Sequence, residues 1–264
     1  IYIGGGTPTS LSADQLRQLM GTVRQLFDLN SLQEYTVEAG RPDCTDAEKL
    51  AVLKEYGATR ISINPQTLSD EVLARIGRRH TAADVIRCFE EARAAGHDNI
   101  NMDLIAGLPG DTPEGFSRTL EGVLALSPEN VTVHTLTLKR ASNLVIEQRP
   151  DEYGDVAEMI ARCDALAKAG YAPYYLYRQK GTLQNLENTG WCKPGFEGLY
   201  NIYIMEEVHT ILSAGAGGST KLRQQKGNLI QRIFNYKYPK EYIDGFDTVL
   251  KRKEGVTDFY ASHV

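Results

Sequence analysis

A chain of 264 residues, 42% apolar and 24% charged, is long enough for one large α/β domain or such a domain with a small appendage. Its net charge of -5 excludes the broad basic field of a general nucleic-acid binder. No apolar run approaches membrane-spanning length and no charged-then-apolar leader opens the chain, so the expected compartment is the cytoplasm.

The chain opens on "IYIGGGTPTS". Ile1–Ile3 reads as a strand, and Gly4, Gly5 and Gly6 as a turn whose backbone N–H groups can approach a ligand. Further strands are expected at Tyr35–Ala39, Arg60–Asn64, Ile100–Ala106, Val131–Leu136 and Pro173–Tyr177. Several are near-continuous and β-branched, as in a buried parallel sheet. Ser12 with Gln15, and Thr45 with Glu48, have capping-box spacing, and Pro113 suits the first turn of a helix. Gly57, Gly96 and Gly170 should stop three helices. This alternation predicts a parallel sheet with helical crossovers. It breaks down after residue 178, which suggests a core over 1–178 and a smaller extension over 179–264.

Cys44, Cys88, Cys163 and Cys192 are far apart and form no CxxC pair. Cys88 falls on the apolar stripe of Val85, Phe89 and Ala92, and Cys163 on that of Val156 and Ile160; both read as small core residues. Cys44 reads as a loop residue.

The polar residues that follow the strands share a position. The glycine turn, Glu38, Gln66, Asp103, and His134 with Lys139 and Arg140 all fall at carboxyl ends, which lie side by side on the ligand-binding face of parallel α/β folds. Asp103 stands inside the otherwise apolar "INMDLIAGLPG", where a carboxylate needs a hydroxyl, amide or cation as partner. No paired-carboxylate hydrolase, Ser/His/Asp, HExxH or GxGxxG pattern accompanies these groups.

Taken in order, "GGGTPT", "TVEAGRPD", "INPQTLSDEVLARIGRRHT" and "INMDLIAGLPGDT" resemble the successive motifs of radical S-adenosylmethionine enzymes of the oxygen-independent coproporphyrinogen III oxidase family. "VTVHTLTLKRAS", "YYLYRQKG" and "NLENTGWCKPGFEGLYNIYIMEE" are similar to its dehydrogenase branch. The resemblance implies an α/β fold, a partial (β/α)6 TIM-like barrel lacking its first βα unit, with a small C-terminal extension that covers the substrate.

The same resemblance implies roles for individual residues. Gly5, Gly6 and Thr7 would contact the amino-acid part of S-adenosylmethionine. Glu38, Gln66 and Arg78 would surround the cofactor, and Asp103 would accept hydrogen bonds from its ribose. Lys139, Arg140, Arg178 and Lys180 would face the propionates of a porphyrinogen substrate. The implied reaction converts two propionates to vinyl groups through a 5′-deoxyadenosyl radical, giving protoporphyrinogen IX in heme biosynthesis, with an electron donor as partner. The family's CxxxCxxC motif, which holds a [4Fe–4S] cluster, is not in this sequence; the expectation is that it lies upstream and that this chain alone is inactive. Heme chaperones share the barrel and carry a histidine in an HNxxYW segment. Here that segment reads Glu187-Asn188-Thr189-Gly190-Trp191-Cys192, which favours the dehydrogenase, although Cys192 could still offer a thiolate to heme iron.

Overall fold

A computed structural model describes residues 1–137, 155–178 and 181–263. They divide into two compact units, Ile1–Tyr200 and Asn201–Val264. The division follows Tyr200 rather than residue 178 because Asn188–Cys192 is a strand of the main sheet.

The first unit is built on seven strands: β1 (Tyr2–Ile3), β2 (Thr36–Glu38), β3 (Arg60–Ser62), β4 (Ile100–Ala106), β5 (Asn130–Thr135), β6 (Ala172–Tyr177) and β7 (Asn188–Cys192). Their order is β1-β2-β3-β4-β5-β7-β6, so β1 and β6 are edges and the barrel is not closed. The first five pair in parallel, as their crossover helices require. The sixth expected strand forms but does not pair with β5. Instead β7 inserts between them, antiparallel to both.

The helices begin and end for local reasons. In α1 (Ala13–Leu26), Ser12 and Gln15 exchange both bonds of a capping box. In α2 (Ala47–Glu55) the cap is Asp46 rather than Thr45, because the Thr45 hydroxyl is turned inward onto Thr9 and the Arg41 carbonyl. A second capping box, Thr81 with Asp84, opens α4 (Ala82–Ala94), which follows the short α3 (Asp70–Arg75). Pro113 is the first residue of α5 (Pro113–Leu126), and Gly57, Gly96 and Gly170 follow helix ends with positive φ. The segments Val156–Arg162 (α6) and Asp164–Lys168 (α7) meet at buried Cys163.

Register explains both faces of the sheet. Val37, Ile61, Ile100, Met102, Leu104, Val131 and Val133 point one way and are buried in the core with Leu16, Met20, Leu50, Leu53, Val85, Cys88, Phe116 and Leu120 from the helices. Apart from Ile105, the alternate residues are polar: Tyr2, Thr36, Glu38, Arg60, Ser62, Asn101, Asp103, Asn130, Thr132 and His134. These strands are buried along nearly their whole length, as expected of a parallel sheet, but one of the two buried faces is polar. The second unit holds β8 (Ser219–Arg223) paired antiparallel with β9 (Ile230–Phe234), and Leu222 and Ile233 pack there against Phe259. No helix among the described residues is long and apolar enough to cross a membrane.

Candidate functional site

The polar face is organised by hydrogen bonds that run from strand to strand. Tyr2 Oη donates to Glu38 Oε1, and the Gly5 N–H donates to Glu38 Oε2 at 3.3 Å. A Cβ on Gly4 would fall 2.4 Å from the Tyr2 ring and 2.7 Å from the Glu38 carboxyl carbon, and Gly5 takes a φ of +85°. The glycines thus let the turn fold over Glu38. Gly6 has nothing within 4 Å of a Cβ, and the Thr7 carbonyl accepts from the Ser10 N–H at 2.9 Å.

Further along the sheet, Asn101 joins three strands. It donates to Asp103 Oδ1 at 2.7 Å and to Ser62 Oγ at 3.4 Å, and its Oδ1 accepts from the Thr132 hydroxyl at 2.9 Å. The second Asp103 oxygen faces His134 Nε2 at 3.7 Å, and His134 Nδ1 lies 3.3 Å from Tyr177 Oη. Asp103 and His134 remain partly open, their side chains 23% and 29% exposed. Burial pushes the Asp103 carboxyl up, but His134, the Asn101 amide and the charge of Arg60 outweigh it and hold the group below its ordinary value.

Glu38 behaves oppositely. Burial pushes its carboxyl above the ordinary 4.5, only partly offset by the Tyr2 hydroxyl and the Gly5 N–H. The folded chain therefore holds this proton more tightly than the unfolded chain. The stability it confers is complete below the ordinary carboxylate range and is lost as pH rises through the raised native value. Wild type is thus expected to lose more stability than Glu38→Gln between pH 4.5 and neutrality, as measured by urea unfolding at each pH. Parallel stability curves for the two proteins would refute this account of Glu38.

Gln66 is buried with a φ of +69°, a conformation that costs a non-glycine residue roughly 1–3 kcal/mol. Two bonds to β4 hold it there: Gln66 N to the Asp103 carbonyl and Ile105 N to the Gln66 carbonyl, both 2.9 Å. Its side-chain amide donates to the Asn64 carbonyl at 3.3 Å. Arg78 is half-buried with Arg41 and Asp43 as its charged neighbours; burial, then the Arg41 charge, pushes its pKa down. Arg178 is 60% exposed and paired with Glu187 at 2.9 Å, so it is a surface ion pair rather than a cation waiting on the polar face. Lys139, Arg140 and Lys180 lie outside the described residues.

Sequence reasoning missed Tyr2, Arg60, Asn101, Tyr175 and Tyr177, although for Arg60 and Asn101 the alternation in "TRISIN" and "INMDL" marks such a face. Of the two groups weighed as heme ligands, Glu187 is held by Arg178. Cys192 is buried on β7, and burial pushes its thiol up to about 11.

The arrangement fits S-adenosylmethionine. The turn brings peptide N–H groups beside Glu38, a carboxylate suited to an ammonium, while Asp103 offers a partly open acceptor suited to ribose hydroxyls. The described residues offer no fit for a [4Fe–4S] cluster. Among the described residues no group of three His, Cys, Asp or Glu side chains could hold a metal ion.

Residues 1–123 match the radical SAM superfamily. The chain is 46% identical over 252 residues to the oxygen-independent coproporphyrinogen-III oxidase-like protein HemZ of Bacillus subtilis (strain 168), covering 94% of this chain and 50% of that protein. It is 44% identical over 227 residues to the heme chaperone HemW of the same strain, covering 83% of this chain and 56% of the chaperone. Its fold matches the coproporphyrinogen III oxidase HemN of Escherichia coli with a TM-score of 0.72 at 22% identity, over 94% of this chain and 56% of HemN. The chain spans about half the length of the curated relatives it matches.

Proposed function

The chain belongs to the radical SAM superfamily and is homologous to its HemZ- and HemN-like proteins, and from that premise we propose that it is the cofactor-binding part of a coproporphyrinogen III dehydrogenase. The observation that carries this reading is adjacency across the sheet. The glycine turn follows β1, Glu38 closes β2, Gln66 follows β3, and Asp103 stands midway along β4, so the four come from successive parallel strands. S-adenosylmethionine, when bound and reduced by an external donor, supplies a carbon radical able to abstract hydrogen.

The residues of this chain bind and orient. Glu38 takes the ammonium of the cofactor, Asp103 takes the ribose hydroxyls, and Gln66 fixes the loop between them through its bonds to β4. Tyr2, stacked on Tyr200 with ring centroids 3.9 Å apart, shields the Glu38 side of the face from water. In each round the substrate would lose one hydrogen atom from a propionate β-carbon to that radical, then carbon dioxide and one electron to an external electron acceptor, leaving a vinyl group.

The test is an anaerobic assay of the full-length gene product with reconstituted cluster, cofactor, reductant and coproporphyrinogen III. Stepwise appearance of mono- and divinyl porphyrinogens is expected. Stoichiometric heme binding with no decarboxylation would make the heme-chaperone reading the better one. Within the chain itself, Asp103→Ala is expected to weaken binding of S-adenosylhomocysteine by about 1.5–3 kcal/mol, the value of hydrogen bonds to a charged acceptor. Unchanged affinity in calorimetry would return Asp103 to a structural role.

A further inference from the structure

We propose that Arg60 is the receptor for a carboxylate of the substrate, gripped side-on by its Nε and Nη2. The proposal rests on the tetrapyrrole reading above for the identity of the carboxylate, and on the structure for the receptor. Arg60 opens β3 on the polar face, in register with Thr36, and is 3% exposed. Both Nε and Nη2 are buried with no hydrogen-bond partner among the described residues. A buried guanidinium left in this state is costly, and proteins remedy it with an anion.

The neighbouring acceptors bond to groups other than Arg60. Glu38 accepts from Tyr2 and Gly5, Asp103 accepts from Asn101 and faces His134, and Asn101 Oδ1 accepts from Thr132. The charge of Arg60 nevertheless reaches Tyr2, Glu38, Asp103 and Cys192, groups on four strands, so the guanidinium serves the interior of the face rather than its rim. Nε and Nη2 are the two parallel donors of a side-on fork, which matches the two oxygens of a carboxylate. A phosphate dianion would bring a second negative charge toward Glu38 and Asp103, so the monoanion is the better match.

The test uses the whole chain and four probes: coproporphyrin III, its tetramethyl ester, propionate and inorganic phosphate. Arg60→Lys keeps the charge and removes the fork. It is expected to bind coproporphyrin III at least about tenfold more weakly than wild type, the loss of one charge-assisted hydrogen bond, while the ester binds both proteins equally. Equal affinity of a folded Arg60→Lys protein for the free acid overturns the proposal. In case that variant fails to fold, the Arg60 Nε–H resonance of unmodified protein decides. A shift on adding propionate but not phosphate supports the receptor, and no shift, or an equal shift with phosphate, overturns it. If propionate shifts the resonance and coproporphyrin does not bind, the receptor stands and the tetrapyrrole reading falls.

Discussion

Gly190→Ala is expected to cost about 3 kcal/mol or more in urea unfolding, at the upper end of what overpacking does. Gly190 sits in β7 opposite Thr132 on one side and Tyr175 on the other. A Cβ there would lie 1.9 Å from Tyr175 Cε1 and 2.4 Å from Cδ1, so the ring must leave. It has little freedom to do so, because it stacks against Tyr177, whose hydroxyl reaches His134. The substitution therefore disturbs the pairing of β7 with β6 and the polar face together. Tyr175→Ala made in the same chain should recover part of the loss, with a coupling of roughly 1–3 kcal/mol. Wild-type stability in Gly190→Ala alone would mean that the ring moves aside at no cost.

That strand also marks where the sequence stopped being legible. The parallel strands were readable because each carries apolar residues at alternate positions on its core face, and most helix ends because caps and stop glycines act within four residues. "NTGWC" has no such ladder. Its place between β5 and β6 comes from Gly190 accepting the ring of Tyr175, fifteen positions earlier, which faces it only after folding. Thr45 and Asp46 show the same limit at smaller scale. Both are good caps, and the choice was made by Thr9, distant in sequence, taking the threonine hydroxyl.

The candidate site was legible in part. Glu38, Gln66, Asp103 and His134 were placed at strand ends by their position after apolar runs; Glu38 closes β2, Gln66 follows β3 and His134 is next to last in β5, but Asp103 stands midway along β4. What supports them was not readable. The partners of Glu38 and Asp103 come from other strands, and a strand arginine such as Arg60 looks like any edge cation until the register buries it. Arg178 shows the complementary limit: its charge suits an acidic substrate, but its pairing with Glu187, on the segment leading into the neighbouring strand, could not be read from the sequence.

Glu129→Ala is the second large effect, expected to cost about 2–4 kcal/mol because it strands a buried donor and breaks a largely buried ion pair. Glu129 Oε2 accepts from the Ile100 N–H at 3.0 Å and Oε1 from Arg93 Nη2 at 2.9 Å, with Lys193 Nζ 3.6 Å away. Its backbone bonds Ile100 and Lys193 as well. One side chain thus ties together the starts of β4 and β5, the end of α4 and the end of β7. Alanine leaves the Ile100 N–H unpaired, whereas Glu129→Gln keeps an acceptor there and should cost less than half as much. Faster hydrogen exchange at Ile100 should accompany the alanine loss, and an unprotected wild-type amide would sink the argument. Because Asp103 and His134 stand on the same two strands, loosening their starts should also weaken S-adenosylhomocysteine binding. Retained affinity in a destabilised Glu129→Ala protein would mean that the carboxyl ends keep their register without the anchor beneath them.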